Sequence, residues 1–302
     1  MKYNKNRFSE LNCENNLFSY SPRFLTALFG SDTEESLSPL IHNKMYEKLN
    51  IPAVYKNFSI SQDNFNTAYK AANVLSFKGI NITYPFKEKA VTIVDKVEGI
   101  AEKIGAINTI DLGDNESYGY NTDYLALKKL FKIWFVEKNT ELEFLIIGAG
   151  GAARAVAAAI SSAQFLSAGK IFIANRTYNK AKNLTDELLD SSCNKGEVIK
   201  WKGNSIGEIV SRVNIVIDAT TLGWKQKLFP GARRLSGDQR VFDLSYSAEP
   251  SPLLKLAAER GCKRENGLRM LLYQAQEAHK IWFEESEFDK NILPQNRFIT
   301  MN

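Results

Sequence analysis

Residues 141–163 read ELEFLIIGAGGAARAVAAAISSA, and they decide the fold. An apolar run, LEFLII, stops at Gly148, and an alanine-rich run follows it. Gly148, Gly150 and Ala153 match the spacing G-x-G-x-x-G/A. Directly after a buried strand and at the opening of a helix, that spacing marks a turn able to hold a dinucleotide pyrophosphate. The small residues Gly148, Ala149, Gly150, Gly151 and Ala152 let the backbone close on phosphate, and free N–H groups at a helix start favour negative charge. A tight strand-to-helix turn with no ligand would use the same glycines, so the neighbouring segments have to decide.

Downstream, KIFIANRT reads as the next strand and YNKAKNLTDELL as its helix. An enzyme using NAD would end that strand in Asp or Glu to take the ribose hydroxyls. This chain has Asn175, Arg176 and Thr177, with Lys180 one helical turn on. A carboxylate would repel a 2′-phosphate, whereas a guanidinium pairs with it, so NADP is the expected cofactor. NIVIDATTLG and RVFDLSY are two more buried strands, and Thr220 in the loop after the first belongs on the nicotinamide side. Residues 125–265 are thus expected to form a doubly wound nucleotide-binding domain.

Upstream, RFLTALFG, IPAVYKNFSI and KGINITYPFK read as strands, and SLSPLIHNKMYEKLN and NFNTAYKAANVL as helices. Ser38 is the expected N-cap of the first helix and Pro39 its first helical residue. Residues 87–104 read as helical, INTID and ESYGY as a short strand pair. NTDYLALKKLFKIWF reads as a bridging helix capped by Asn121 or Thr122. Strands alternating with helices imply a mostly parallel α/β sheet. The amphipathic run GLRMLLYQAQEAHKIWF should return to pack on the first domain. The expected division is 1–124 (with 1–22 an extension), 125–265 and 266–302.

The bulk numbers bound the function class. A chain of 302 residues with 44% apolar and 24% charged residues suits two globular domains. A net charge of +5, with basic residues scattered among acids, does not indicate a nucleic-acid surface. Cys13, Cys193 and Cys262 are far apart and form no CxxC pair, so neither a metal site nor a disulfide framework is expected. The first residues are polar without an apolar core, no run is long enough to span a membrane, and a cytoplasmic setting is expected.

The first domain holds three polar clusters: Ser36, Ser38 and Pro39 in SLSP; Asn81, Thr83 and Lys87 in NITYPFK; and Asn108 and Thr109 followed by Asn121, Thr122 and Asp123. With GAGGAAR, NRT, DATTLG and GLRMLLYQA, this ordered series resembles the shikimate dehydrogenase family from about Phe29 to about Trp282. The resemblance implies an N-terminal α/β substrate-binding domain and a C-terminal Rossmann domain for NADP. It implies Ser36 and Ser38 at the substrate carboxylate, and Asn81, Thr83, Asn108, Tyr246 and Gln274 at the substrate. It further implies Lys87 and Asp123 as the catalytic pair, and Gly267 and Met270 lining the nicotinamide. The implied reaction is reduction of 3-dehydroshikimate to shikimate, by a monomer or homodimer. The chemistry fits: hydride arriving at a ketone leaves negative charge on oxygen, which a lysine stabilises and protonates. On spacing alone, Lys87 and Asp123 could equally form a plain salt bridge. His42 and His279 are expected to be packing or surface residues.

Three departures keep other readings open. The family's run before the serine pair usually holds Pro and His, whereas this chain has GSDTEES, with Asp32, Glu34 and Glu35 beside the expected carboxylate site. Either these acids point to solvent, or the substrate is a modified, quinate-like or aminated acid. The usual N-A-T motif is Asp218, Ala219, Thr220 here. Arg269, between Gly267 and Met270, could reach substrate or phosphate or lie at the surface. A non-catalytic ligand sensor is the remaining alternative.

Overall fold

The computed structural model describes residues 22–113, 115–135, 141–163, 168–189 and 196–284. The extension expected over 1–22 lies outside the described residues except for Pro22, as does the chain beyond 284. Two six-stranded sheets organise the described residues.

The first sheet uses β1 (Phe24–Gly30), β2 (Ala53–Ser59), β3 (Gly79–Ile82), β4 (Lys96–Val97), β5 (Thr109–Leu112) and β6 (Ser117–Tyr120) in the order β2-β1-β3-β5-β6-β4. Helices α1 (Ser38–Lys48) and α2 (Phe65–Val74) connect the parallel strands β1, β2 and β3. This sheet is mixed but mostly parallel: β5 alone is reversed, antiparallel to both β3 and β6, and the other five strands share one direction. A connection of four residues between β5 and β6 can only reverse the chain.

The segment 87–104 is not one helix. It is a 3-10 turn at Lys89–Thr92, the short β4, and α3 (Ile100–Ile104). Val91, Thr92, Ile93 and Val94 form a β-branched run disfavoured in helix, and Thr92 Oγ1 donates to its own turn at Lys89 O. Helix α1 also starts one residue earlier than expected. Leu37 is its N-cap and Ser38 is already helical. Ser36 Oγ instead accepts the Ser38 N–H at 3.2 Å.

The second sheet is wholly parallel, in the order β12-β11-β10-β7-β8-β9. Its strands are β7 (Leu142–Ile147), β8 (Ala168–Ala174), β9 (Gly196–Ile199), β10 (Ile215–Asp218), β11 (Arg240–Asp243) and β12 (Lys263–Asn266). Helices α4 (Thr122–Trp134), α5 (Gly151–Ser161) and α6 (Tyr178–Leu188) bury apolar residues against one face; α7 (Gly203–Val210) and α8 (Pro252–Glu259) cover the other. Phe144 and Ile146 look into the first layer, and Leu145 and Ile147 into the second, so β7 must be apolar throughout. Each such side chain, fully buried, stabilises the fold by roughly 1.5–3 kcal/mol.

The last helix, α9 (Leu268–Phe283), runs against α4 and returns to α1 and β5. Trp282 Nε1 donates to Ile110 O of β5 at 3.0 Å, and Ala275 packs with Ile41 and Met45 of α1. No helix among the described residues is long and apolar enough to cross a membrane.

Candidate functional site

Strand β7 is central in the second sheet, and the order reverses on either side of it. Ligands of open parallel sheets lie at that reversal, beyond the carboxyl ends of the strands. Gly148 leaves β7 with φ +108°, a conformation that disfavours any side chain. Gly150 then caps α5, whose first turn leaves amide N–H groups without helical acceptors. The turn after β8 carries Asn175, half-buried, and Arg176 and Thr177, both exposed, with no carboxylate among them, and exposed Lys180 follows in the first turn of α6. Asn175 Nδ2 donates to Thr177 O at 2.9 Å, which fixes that turn. A glycine turn with free amides beside a basic, acid-free strand end fits a dinucleotide bearing a 2′-phosphate. Thr220, beyond β10, is held by Asp218 Oδ1, which accepts both its N–H and its hydroxyl.

Lys87 reaches this turn from the first domain. A methyl group on Gly151 would come within 2.8 Å of Lys87 Cβ, so the lysine stem lies directly on the glycine turn. Its backbone is fixed by Ile107 N donating to Lys87 O at 2.9 Å. Lys87 Nζ donates to Asp123 Oδ2 at 2.6 Å. Asp123 sits in the first turn of α4, capped by Asn121 Oδ1 accepting the Tyr124 N–H at 3.0 Å. The carboxylate is almost wholly buried and the lysine half-buried.

Around the pair runs a neutral polar network. Asn108 Oδ1 accepts the Thr122 N–H at 2.6 Å, and Thr109 Oγ1 meets Thr122 Oγ1 at 2.9 Å. Asn81 Nδ2 donates to Thr109 Oγ1 at 2.9 Å and to Asn108 O at 3.1 Å. Tyr55, which the sequence did not single out, donates to Asn81 Oδ1 at 2.9 Å. Its hydroxyl also lies toward the Ser38 side chain, and burial pushes its pKa well up. Ser36 lies toward the hydroxyl of Tyr246, whose pKa burial also raises. Asn81, Asn108, Tyr55, Thr109 and Thr122 therefore form one network, which adjoins the Lys87–Asp123 pair through the chain, since Thr122 precedes Asp123 and Ile107, bonded to Lys87 O, precedes Asn108. Half-buried Thr83 lies on the turn leading to Lys87. Gln274 is buried on α9, with Nε2 donating to Leu271 O at 2.9 Å, and Gly267 and Met270 stand at the start of that helix.

The departures resolve in part. Asp32, Glu34 and Glu35 are all exposed, while Thr33 between them is buried against Ser59. Arg269 pairs with buried Glu265, Nε donating to Oε1 at 2.9 Å. His42 and His279 are fully buried, their rings 5.0 Å apart, with His42 Nδ1 and His279 Nε2 at 3.1 Å. Burial lowers both, His279 to about 3.

The family model described as shikimate dehydrogenase substrate binding domain matches residues 28–110, and that described as shikimate / quinate 5-dehydrogenase matches 131–224. The chain is 36% identical over 261 residues to a shikimate dehydrogenase (NADP(+)) of Aquifex aeolicus, covering 85% of this chain and 90% of that relative. A crystal structure of shikimate dehydrogenase from Aquifex aeolicus superposes with a TM-score of 0.76 at 34% identity, covering 88% of this chain and 94% of that one. A shikimate 5-dehydrogenase from Thermus thermophilus, in complex with NADP(H) and shikimate, gives a TM-score of 0.72 at 27% identity, covering 87% and 94%.

Proposed function

Because the chain belongs to the shikimate dehydrogenase family, we propose that it interconverts 3-dehydroshikimate and shikimate with NADP, and that Lys87 and Asp123 handle the proton. The chain is an NADP-dependent oxidoreductase acting on a CH–OH group. One observation carries the assignment of the centre: the 2.6 Å Lys87–Asp123 pair stands where the glycine turn and the Asn108 network meet.

The chain's own residues divide the work. Ser36 and Ser38, with Tyr246, take the substrate carboxylate. Asn81, Thr83, Asn108 and Gln274 hold the ring, because a hydroxyl removed from water needs a partner. Lys87 Nζ lies at the carbonyl oxygen, stabilises the negative charge that grows there and delivers its proton. Asp123 Oδ2 aims that ammonium and shares the proton on its return. Gly148, Ala149, Gly150, Gly151 and Ala152 take the pyrophosphate, and Asn175, Arg176, Thr177 and Lys180 take the 2′-phosphate side. Thr220, Gly267 and Met270 flank the nicotinamide. Bound NADPH supplies the hydride. Residues up to 124 serve as the substrate domain, 125–265 as the nucleotide domain, and the segment from 266 returns to the first.

The test is NADP+ reduction, followed at the nicotinamide absorbance, with shikimate and quinate offered separately. Turnover of shikimate is expected. Turnover of neither would remove the assignment, and turnover of quinate alone would move it to a quinate enzyme.

A further inference from the structure

Two acids far apart in the chain meet at the ends of neighbouring strands. Asp218 closes β10 and Asp243 closes β11, and the parallel register sets them opposite each other. They are 1% and 0% exposed. Two adjacent buried carboxylates cannot both ionise without loss of hydration and mutual repulsion. A cation would relieve this, yet the residues in register on either side are Ile147 and Asn266. The groups bonded to the acids come from Thr220, Ser245 and Ser251, all neutral. Five ionisable residues of the adjoining elements, Glu265, Lys255, Arg240, Arg154 and Tyr246, are engaged elsewhere. Glu265 of β12 holds Arg269 and Trp134, and Lys255 of α8 faces Glu249. Arg240 of β11 donates to Trp134 O, Arg154 of α5 donates to Ile104 O and pairs with Glu187, and the Tyr246 hydroxyl lies toward Ser36.

The donors divide the pair unequally. Asp243 Oδ1 accepts the Ser245 N–H at 2.8 Å and Oδ2 the Ser251 hydroxyl at 2.5 Å, beside the N-terminus of α8. A helix start favours negative charge. On Asp218 both donors, Thr220 N–H and hydroxyl, converge on Oδ1. Asp243 is therefore the better-supported anion and Asp218 the acid that keeps a proton. Burial, and then the Asp243 charge, push Asp218 up to about 7, and burial raises Asp243 too.

We propose that Asp218 and Asp243 hold a single proton between them and act as positioning residues for the two loops that flank the reaction. Thr220 Oγ1, fixed by Asp218, accepts the Leu222 N–H at 3.0 Å and so shapes the loop on the nicotinamide side. The Ser245 N–H, fixed by Asp243, precedes Tyr246, which reaches Ser36. Trp224 joins the loops, its Nε1 donating to Tyr246 O at 3.0 Å and its ring edge-on to Tyr246 at 5.7 Å. Loss of the shared proton sets two charges side by side under both loops. The positioning role rests on the dehydrogenase reading; the shared proton does not.

The test compares wild type with Asp218→Asn, which keeps the shape and cannot ionise. The folded pKa of Asp218 lies above that of an unfolded aspartate, so its contribution to stability is lost as pH rises between about 4 and about 7. Without ligand, the melting temperature of wild type should fall relative to that of the variant as pH rises from about 5 to about 8. Taking the difference between the two proteins cancels the buried histidines. NADPH affinity, titrated by nicotinamide fluorescence, should weaken about tenfold over the same range in wild type and about twofold or less in the variant. Identical pH dependence of melting in the two proteins overturns the shared proton. A difference in melting with identical pH dependence of affinity overturns the positioning role. If Asp218→Asn does not fold, Asp243→Asn, which removes the neighbouring charge and leaves Asp218 buried, should move the loss of stability to a lower pH than in wild type, and an unmoved loss overturns the shared proton. No NADPH binding by wild type at any pH strikes the dehydrogenase reading instead, while melting still decides the proton.

Discussion

Arg176, Thr177 and Lys180 stand exposed at the turn after β8 and the start of α6, whereas Lys87 is hydrogen-bonded to Asp123, and Asn81 and Asn108 to each other and to Thr122, next to Asp123 in the chain. The first group can be altered one residue at a time, because water replaces whatever is removed. The second cannot, because each truncation leaves a buried partner unsatisfied, at a cost of about 1–3 kcal/mol per group. The cofactor end should therefore show affinity effects without stability effects, and the substrate end both.

The largest effect expected is on turnover. Lys87→Ala should lower kcat by about a thousandfold, the order associated with losing an oxyanion-stabilising donor together with a general acid. NADPH binding by fluorescence should stay near wild type, since Arg176 and the backbone amides of the glycine turn are retained; loss of folding would make Lys87 structural. Next comes Asn108→Ala, which strips the Thr122 N–H and hydroxyl of their acceptor. A stability loss of about 1–3 kcal/mol by denaturant unfolding is expected, with activity falling in parallel. An unchanged midpoint would mean the network does not bear on the fold.

Arg176→Ala should raise the KM for NADP+ about tenfold or more and leave that for NAD+ and the melting temperature alone. Equal losses for both cofactors would contradict the 2′-phosphate assignment. The smallest effect concerns His42 and His279. Burial lowers both, so the folded state binds fewer protons than the unfolded chain, and stability is lost as pH falls below about 6.5. Relative to a His279→Gln variant, which keeps the Asp218–Asp243 pair, the wild-type melting temperature should fall as pH is lowered from about 7 to about 5.

The nucleotide domain was legible because its signals are local. The strand, the glycine turn and the alanine-rich helix are contiguous, and the NRT stretch follows at the end of the next strand. The same locality misled where it was weak. Residues 87–104 hold enough apolar residues to look helical, but a β-branched run and Gly99 break them into turn, strand and short helix. The Ser38 cap was misplaced because Ser36, two residues earlier, serves the turn instead. What sequence could not give is contact set by register or by packing of distant elements. Tyr55 meets Asn81 across the first sheet, and His42 meets His279 across α1 and α9. Asp218 and Asp243 left a faint trace: two apolar strand runs each end in aspartate. Only the parallel order of β10 and β11 makes them neighbours.

The Lys87–Asp123 unit is tested most directly by a double-mutant cycle on kcat/KM for shikimate oxidation, using Lys87→Ala, Asp123→Asn and both. If the two act as one device, the double variant should be no slower than the worse single variant by more than about twofold. Losses that multiply would mean that Lys87 and Asp123 contribute to catalysis independently, and would contradict the single device.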